Sequence, residues 1–319
     1  MQIPSRLQES IDRIVQHAPP TALARARTAM TQKYREGEFS GSVFSDEGMR
    51  LAYLAARFPA TYAATFKILR EIKDRIPAIH CKKVLDLGAG PGTAAWAALD
   101  VFPDVEEVSL VERNLGAIAL GKELSKALPA PRKEEWFCRD LESKQEIPFA
   151  DLVLVSYALG ELKNPEAVIE RIWQGGPSYL VIVEPGTPRG YELILSLRDL
   201  LLKSGAHLIA PCPHALRCPL SGRDWCHFSV RVERTKLHRL LKQGALGYED
   251  EKFSYLVVSR IQHSLAPYSR ILRHPQKGSG HVRLSLCHAD GQKKERVVSR
   301  KEKDVYRLAR DAEWGDAWM

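Results

Sequence analysis

Long apolar runs are missing from this chain. Nowhere in its 319 residues does the stretch of roughly 20 apolar positions occur that a bilayer-crossing helix needs, so no membrane partner is expected. Met1–Ser10 has no basic segment leading into an apolar one and holds a single arginine. That argues against a secretory signal and against a mitochondrial presequence, leaving a cytoplasmic location as the default. Internal repeats and low-complexity tracts are missing too. Cysteine is sparse, six in all, and without a secretion signal a disulfide framework is not expected. Yet three of the six fall within fifteen residues, Cys212 to Cys226.

Hydrophobic content of 45% and charged content of 27% are ordinary for a globular chain. The net charge of +8 is unevenly spread. Residues 1–79 carry +4, residues 80–200 carry −6, and residues 201–264 and 265–319 carry +5 each. An acidic centre between basic flanks is the footprint of nucleic-acid contact by the flanks, the plainer alternative being solubilising termini. Candidate contacts are Arg217, Arg223, Arg231, Arg234, Lys236 and Arg239, a run that continues to Lys242 and is opposed within 217–242 only by Asp224 and Glu233.

Helical spacing of apolar residues marks Leu7–Val15 and Leu51–Ile76, with a polar loop at Gly37–Gly48 between them. From Val84 short apolar runs alternate with helix-length segments. Strands are expected at Val84–Leu87, Glu107–Val111, Glu135–Cys138, Leu152–Ser156, Tyr179–Val183, His207–Ala210 and Phe253–Ser259. Helices fit Thr93–Val101, Leu115–Ala127, Pro165–Trp173, Gly190–Lys203 and Glu233–Lys242. The fold class is α/β: a seven-stranded, doubly wound, Rossmann-like sheet of the methyltransferase type, its last strand antiparallel. Three regions follow. Residues 1–79 are a helical extension, and 80–264 are the sheet domain with a cysteine insertion at 211–227. Residues 265–319 are a C-terminal extension, in which a linker at Pro267–Gly280 leads to a hairpin, His281–His288 and Gln292–Ser299, turning at Ala289-Asp290-Gly291.

The segment Val84–Thr93 reads as a buried strand, a tight glycine turn and a helix start. Glu112 ends the next strand, where a carboxylate can accept from both hydroxyls of a ribose. A dinucleotide loop places a third glycine where this chain has Thr93, and Pro91 also departs from that pattern. Both differences favour S-adenosylmethionine, which has no pyrophosphate, over NAD. The candidate donor-binding residues are Asp86, Gly88, Ala89, Gly90, Gly92, Glu112, Asp140 and Ser156. Asp140 is placed for the adenine amino group, and Ser156-Tyr157 end the fourth strand, where acceptor and donor meet.

The spacings between Cys212, Cys218 and Cys226, five and seven residues, are longer than the first spacings of structural zinc sites. Cys-Pro pairs recur beside iron–sulfur clusters, and a cubane needs four thiolates. Cys287 is the best fourth ligand, because Cys81 abuts the first strand and Cys138 lies in the third. Joining Cys226 to Cys287 closes a long loop at a cost of roughly 4 kcal/mol. Thiolate–metal binding, on the order of 10 kcal/mol, exceeds that. The centre would staple the C-terminal hairpin. Zinc, with His214 or His227 as mixed ligands, is the alternative.

The chain resembles the methyltransferase-like proteins of the bacterial and mitochondrial small ribosomal subunit, from about Tyr34 to Trp318. The resemblance rests on Cys212–Leu220, Trp225–Ser229, Tyr248–Tyr255 and Trp314–Asp316. It implies a [4Fe-4S] cluster on Cys212, Cys218, Cys226 and Cys287, and association with small-subunit ribosomal RNA during assembly, with a monomer as the expected unit. No Asn-Pro-Pro-Tyr clamp follows the fourth strand, which reads Ser156-Tyr157-Ala158-Leu159, so the target atom is undeclared. Glu161 and Glu184 are the positions open to a general base. RNA methylation is the favoured activity, and a catalytically silent assembly factor is the alternative.

Overall fold

Helix starts in this chain are written as Asp, Asn, Thr and Pro. The computed structural model describes residues 1–36, 44, 46–127, 133–220, 224–242, 245–264 and 268–318. It divides into two units, residues 1–177 with 230–251 and residues 178–229 with 252–319.

In the first unit α1 (Ser5–Val15), α2 (Pro20–Glu36), α3 (Glu47–Ala56) and α4 (Phe58–Arg75) precede β1 (Lys83–Leu87) and α5 (Thr93–Val101). The chain continues through β2 (Glu107–Glu112), α6 (Leu115–Ser125), β3 (Lys133–Cys138), β4 (Leu152–Ser156) and α7 (Pro165–Gln174). Asp46 caps α3 by accepting from the Met49 N–H (2.8 Å), and Asn114 caps α6 from Ala117 (2.9 Å). Asn164 caps α7 from Ala167 (3.2 Å), with Pro165 first in the helix. Each such cap stabilises its helix by about 1 kcal/mol. The four strands are parallel in the order β3-β2-β1-β4. Val84–Leu87 are buried on both faces, which is why β1 reads as an unbroken apolar run and not an alternation.

The second unit takes β5 (Tyr179–Pro185), α8 (Pro188–Lys203, capped by Thr187) and β6 (His207–Ala210). Next come β7 (Phe228–Glu233), α9 (Lys236–Lys242) and β8 (Tyr248–Ser259), the division between units falling inside β7 and β8. Residues 253–259 of β8 run antiparallel to β5, pairing Phe253 with Pro185 and Ser259 with Tyr179, and are also antiparallel to β6. The chain ends in β9 (Ser269–Ile271), β10 (Gln276–Lys277), β11 (His281–Cys287), β12 (Lys293–Ser299), α10 (Lys303–Asp311) and β13 (Ala317–Trp318). β11 pairs with β12 along its whole length and with β10 and β9, while β9 also pairs with β13. Ile271, Val282, Leu284, Leu286, Val298 and Ala309 form the core under this second sheet.

Several expectations need correction. The helix expected at Glu233–Lys242 begins at Lys236, and the residues before it form β7. There Phe228 and Val232 are buried while Arg231 and Glu233 are exposed, an alternation of period two. The helical stretch Leu51–Ile76 is two helices, separated at Arg57 by the start of Phe58-Pro59. The 267–280 stretch is no linker: it contains β9 and β10 and buries Arg270, Ile271 and Leu272. Of the loop expected at Gly37–Gly48, residues 37–43 and 45 lie outside the described residues, and Glu47-Gly48 open α3. Arg223, Pro267 and Met319 also lie outside them.

Candidate functional site

A pocket is built where β1, β2 and β4 end. Asp86, Gly88, Ala89, Gly90, Glu112, Asp140 and Ser156 all line it, joined by Phe44, Arg57, Arg113, Tyr157 and Glu161. Gly92, the residue before α5, is not among its lining. The loop needs glycine at two points. Gly88 (φ 71°) has no room for a Cβ, which would fall 2.5 Å from Cβ of Ala158. Gly90 (φ 54°) faces the Phe44 ring, 3.0 Å from where a Cβ would be. Both lie in the left-handed region that other residues enter at a cost.

The carboxylate of Glu112 anchors this loop. One oxygen accepts from the Gly90 N–H (2.9 Å), the other from the Asn114 N–H (2.8 Å). Burial raises its pKa, against the pull of those backbone donors. Asp86 is buried and accepts from the Ala95 N–H (2.9 Å); burial, followed by the nearby Glu112, pushes it up to about 7. Glu161 is also pushed to about 7 by burial, with Arg113 opposing the shift. Arg113 stands 3.7 Å from Asp140 and 3.6 Å from Glu161. Ser156 meets Thr65 through their hydroxyls (3.3 Å). Tyr157 holds a positive φ of 55° and donates its hydroxyl to Glu251 (2.9 Å), whose second oxygen accepts from Arg57 (2.8 Å). Thr93, where a dinucleotide loop has glycine, meets the Tyr53 hydroxyl instead (3.1 Å).

In the second unit Cys212, Cys218, Cys226 and Cys287 line one cavity, together with His214, Tyr191, Arg198 and Arg270. Cys287 ends β11, and the other three lie between β6 and β7. All four are free thiols. Burial pushes the Cys287 thiol up to about 12, with Cys212 and Cys218 adding to it, and raises Cys226 well above its ordinary value. The sulfur of Cys287 lies 3.4 Å from His214 Nε2, and Tyr191 donates its hydroxyl to Cys218 (3.3 Å). His227 is buried, stacked on Trp225, and is not among the residues lining the cavity. Among the described residues no group of three or more His, Cys, Asp or Glu side chains is drawn together as a metal-ion site.

The basic run is partly occupied by acids. Arg231 makes two bonds to Asp250 (2.9 and 3.2 Å) and lies 4.0 Å from the Tyr248 ring centroid. Arg234 and Lys242 both reach Glu249 (3.0 and 2.5 Å). Burial works to raise that carboxyl, but His238 and Lys242 hold it far below the usual range. Arg217, Lys236 and Arg239 are exposed.

Sequence reasoning passed over Arg57, Glu251, Arg198 and Arg270. Arg198 had a signal: it stands in the stripe Tyr191, Ile194, Leu195, Arg198, Leu201 on α8, an arginine on an otherwise apolar face. Arg57 and Glu251 had none, being 194 residues apart. No helix among the described residues is long and apolar enough to cross a membrane.

A family model described as mitochondrial small ribosomal subunit Rsm22 matches residues 48–319. The chain is 30% identical over 291 residues to the human mitochondrial ribosome assembly protein METTL17, covering 85% of this chain and 62% of that protein. To the mitochondrial Rsm22-cox11 tandem protein 1 of Schizosaccharomyces pombe it is 28% identical over 337 residues, covering 86% and 44%. To the mitochondrial ribosome assembly protein RSM22 of Saccharomyces cerevisiae it is 23% identical over 418 residues, covering 84% and 66%. The chain thus spans less than two thirds of each relative's length. Their mitochondrial designation overturns the cytoplasmic location expected from Met1–Ser10. With its matched region running from residue 48 to residue 319, the chain belongs to the mitochondrial small ribosomal subunit Rsm22 family.

Proposed function

We propose that this chain binds S-adenosylmethionine in the first unit and works at small-subunit ribosomal RNA during ribosome assembly, in a mitochondrial setting like that of its named relatives. The observation that carries the reading is the position of the pocket. In the order β3-β2-β1-β4, the chain runs from β1 through β2 to β3 on one side and returns to place β4 on the other side of β1, and the pocket lies at the carboxyl ends of these strands. Open α/β sheets bind their ligands at such a switch point. Gly88 and Gly90 let the donor approach the backbone, Glu112 offers its remaining lone pairs to the ribose, and Asp140 is available to the adenine. Thr93 and Pro91 support S-adenosylmethionine over a dinucleotide. Titration calorimetry should detect donor binding that Gly90→Arg abolishes and Glu112→Ala weakens. Unchanged affinity in both variants would overturn the assignment.

Methyl transfer to RNA is the favoured activity, because Glu161, with a proton affinity near neutrality, lines the pocket as a candidate base. The silent-factor reading draws support from Tyr157 and Arg57, both already engaged by Glu251 at the acceptor end. Mapping modified nucleotides in a deletion strain separates the two. One lost methyl mark, restored only with an intact donor loop, establishes catalysis; immature subunits with every mark retained establish the silent factor.

In the second unit the four cysteines are read as holding a [4Fe-4S] cluster. All four line one cavity, and buried Arg198 and Arg270 in the same lining suit a centre of net negative charge. When bound, the cluster would supply thiolate–iron bonds that tie β11 to the 212–226 loop. Anaerobically purified protein should be brown, with about four irons per chain. Stoichiometric zinc in a colourless, folded preparation would favour the zinc site.

A further inference from the structure

Residues 276–303 carry eight lysines and arginines against three acids. Three of the eight are answered: Lys293 by Asp224, Lys294 by Asp290 and Arg296 by Glu302. Lys277, Arg283, Arg300, Lys301 and Lys303 are exposed, and none of them is in an ion pair among the described residues. The next acid along the chain, Asp304, stands 3.5 Å from Arg307. On β11 Val282, Leu284 and Leu286 are buried, so His281 and Arg283 stand on the opposite, outer face. Arg283 lies across from Gln276 of β10 and from Val297 of β12, which is 47% exposed. The acid on that face, Glu295, is two residues further along β12, opposite Ser285. At the other end the Gly278 N–H donates to the His281 carbonyl (2.9 Å) and the Arg300 N–H to the Gly280 carbonyl (3.0 Å). The His281 ring packs against Gly278, 2.7 Å from where a Cβ would be. Lys277 and Arg300 thus flank β11, two strand spacings or roughly 10 Å across. Lys301 and Lys303 follow Arg300 in the chain.

We propose that this end of the second sheet is a further contact for single-stranded RNA, separate from the basic run at 217–242. The inference rests on the RNA reading above. In that run Arg231, Arg234 and Lys242 already face Asp250 and Glu249. Here five cations face solvent, so their mutual repulsion is relieved by a polyanion that runs across them, and each phosphate they neutralise releases condensed counterions. Cations spread across three strands suit a chain of phosphates better than a single anion. Arg283 and His281 add flat groups to the same face, on which unpaired bases can stack.

The test measures binding of the full chain to single-stranded RNA oligonucleotides of several sequences across a salt series, with circular dichroism melts as the check on folding. The triple variant Arg283→Gln, Arg300→Gln, Lys301→Gln should lower the log–log slope by about 2, roughly 0.7 for each phosphate no longer neutralised. Its affinity should fall alike for every sequence, as loss of phosphate contacts requires. The single variant Arg283→Gln should lower the slope by about 0.7 and stands in if the triple variant melts early. A control that removes the same charge at exposed Lys122, Lys144 and Lys203, each to Gln, should keep the parent slope. A triple variant with the parent slope overturns the proposal, as does a control that falls equally, because net charge would then explain both. Vesicles containing phosphatidylglycerol are tested beside the RNA. A triple variant that loses vesicle binding and keeps RNA binding overturns the proposal in favour of an anionic lipid surface. A parent protein with no affinity for RNA overturns the RNA reading itself.

Discussion

The guanidinium of Arg57 lies over the ring of Tyr157, 4.7 Å from its centroid, and the two side chains end on opposite oxygens of Glu251. Tyr157 is held at φ 55°, a conformation that costs a non-glycine residue on the order of 1 kcal/mol. Glu251→Gln should therefore destabilise the first unit by about 1–3 kcal/mol, because it leaves a largely buried guanidinium with a weakened partner. Urea unfolding measures this, and a change below about 0.5 kcal/mol would show that Glu251 anchors neither side chain.

Stability should also depend on pH. Asp86 and Glu161 keep their protons to about pH 7 in the folded chain, burial being the main cause. In the unfolded chain they ionise near pH 4. Rising pH between those values therefore favours unfolding, and the loss is complete above about 7. Asp86→Asn should flatten the fall, taking up to about 1.4 kcal/mol per pH unit from the slope. Thermal melts from pH 4 to 8 check it; parallel curves for the two proteins would refute it.

Removal of one cysteine ligand should act locally. On the proposed metal-centre reading, Cys287→Ser should abolish metal uptake and, with the closure of the loop from Cys226 undone, weaken the C-terminal sheet by up to roughly 4 kcal/mol. Hydrogen exchange should quicken in β11 and β12 and stay unchanged in β1–β4. Uniform deprotection of both units would contradict this.

Much of the parallel sheet was legible because buried strands are apolar on both faces, as in Val84–Leu87 and Leu152–Val155. β7 was not, because Val-Arg-Val-Glu alternates too briefly to stand apart from the basic helix that follows. β9, β10 and β13 span two or three residues each, and only their partners across the sheet define them. The glycine loop, Glu112 and the cysteines could be named from the sequence because their chemistry is local. The Arg57–Glu251 bond and the guanidiniums of Arg198 and Arg270 depend on tertiary approach. The basic run looked less opposed than it is, because Glu249 and Asp250 come back from the next strand.

Those returning acids divide the basic residues into two kinds. Lys236 and Arg239 are exposed, whereas Arg231 and Arg234 are paired with acids. Charge reversal at Lys236 and Arg239 should flatten the salt dependence of single-stranded RNA binding by about 0.7 in log–log slope for each phosphate no longer neutralised. Arg231→Ala should change it less. Filter binding across a salt series measures both, and equal effects would show that the Asp250 pair opens on binding.

Glu251 is the last residue of the first unit, and residues 178–229 intervene before the segment that contains it. In a chain made from its amino end at roughly 5–20 residues per second, β1–β4 are complete while their closing segment has yet to be synthesised. Arg57 and Tyr157 must wait for a partner translated after Cys212, Cys218 and Cys226. Cys287 is made later still, after Glu251, so the anchor of Arg57 and Tyr157 is in the chain before the four thiols of the cysteine cavity are complete.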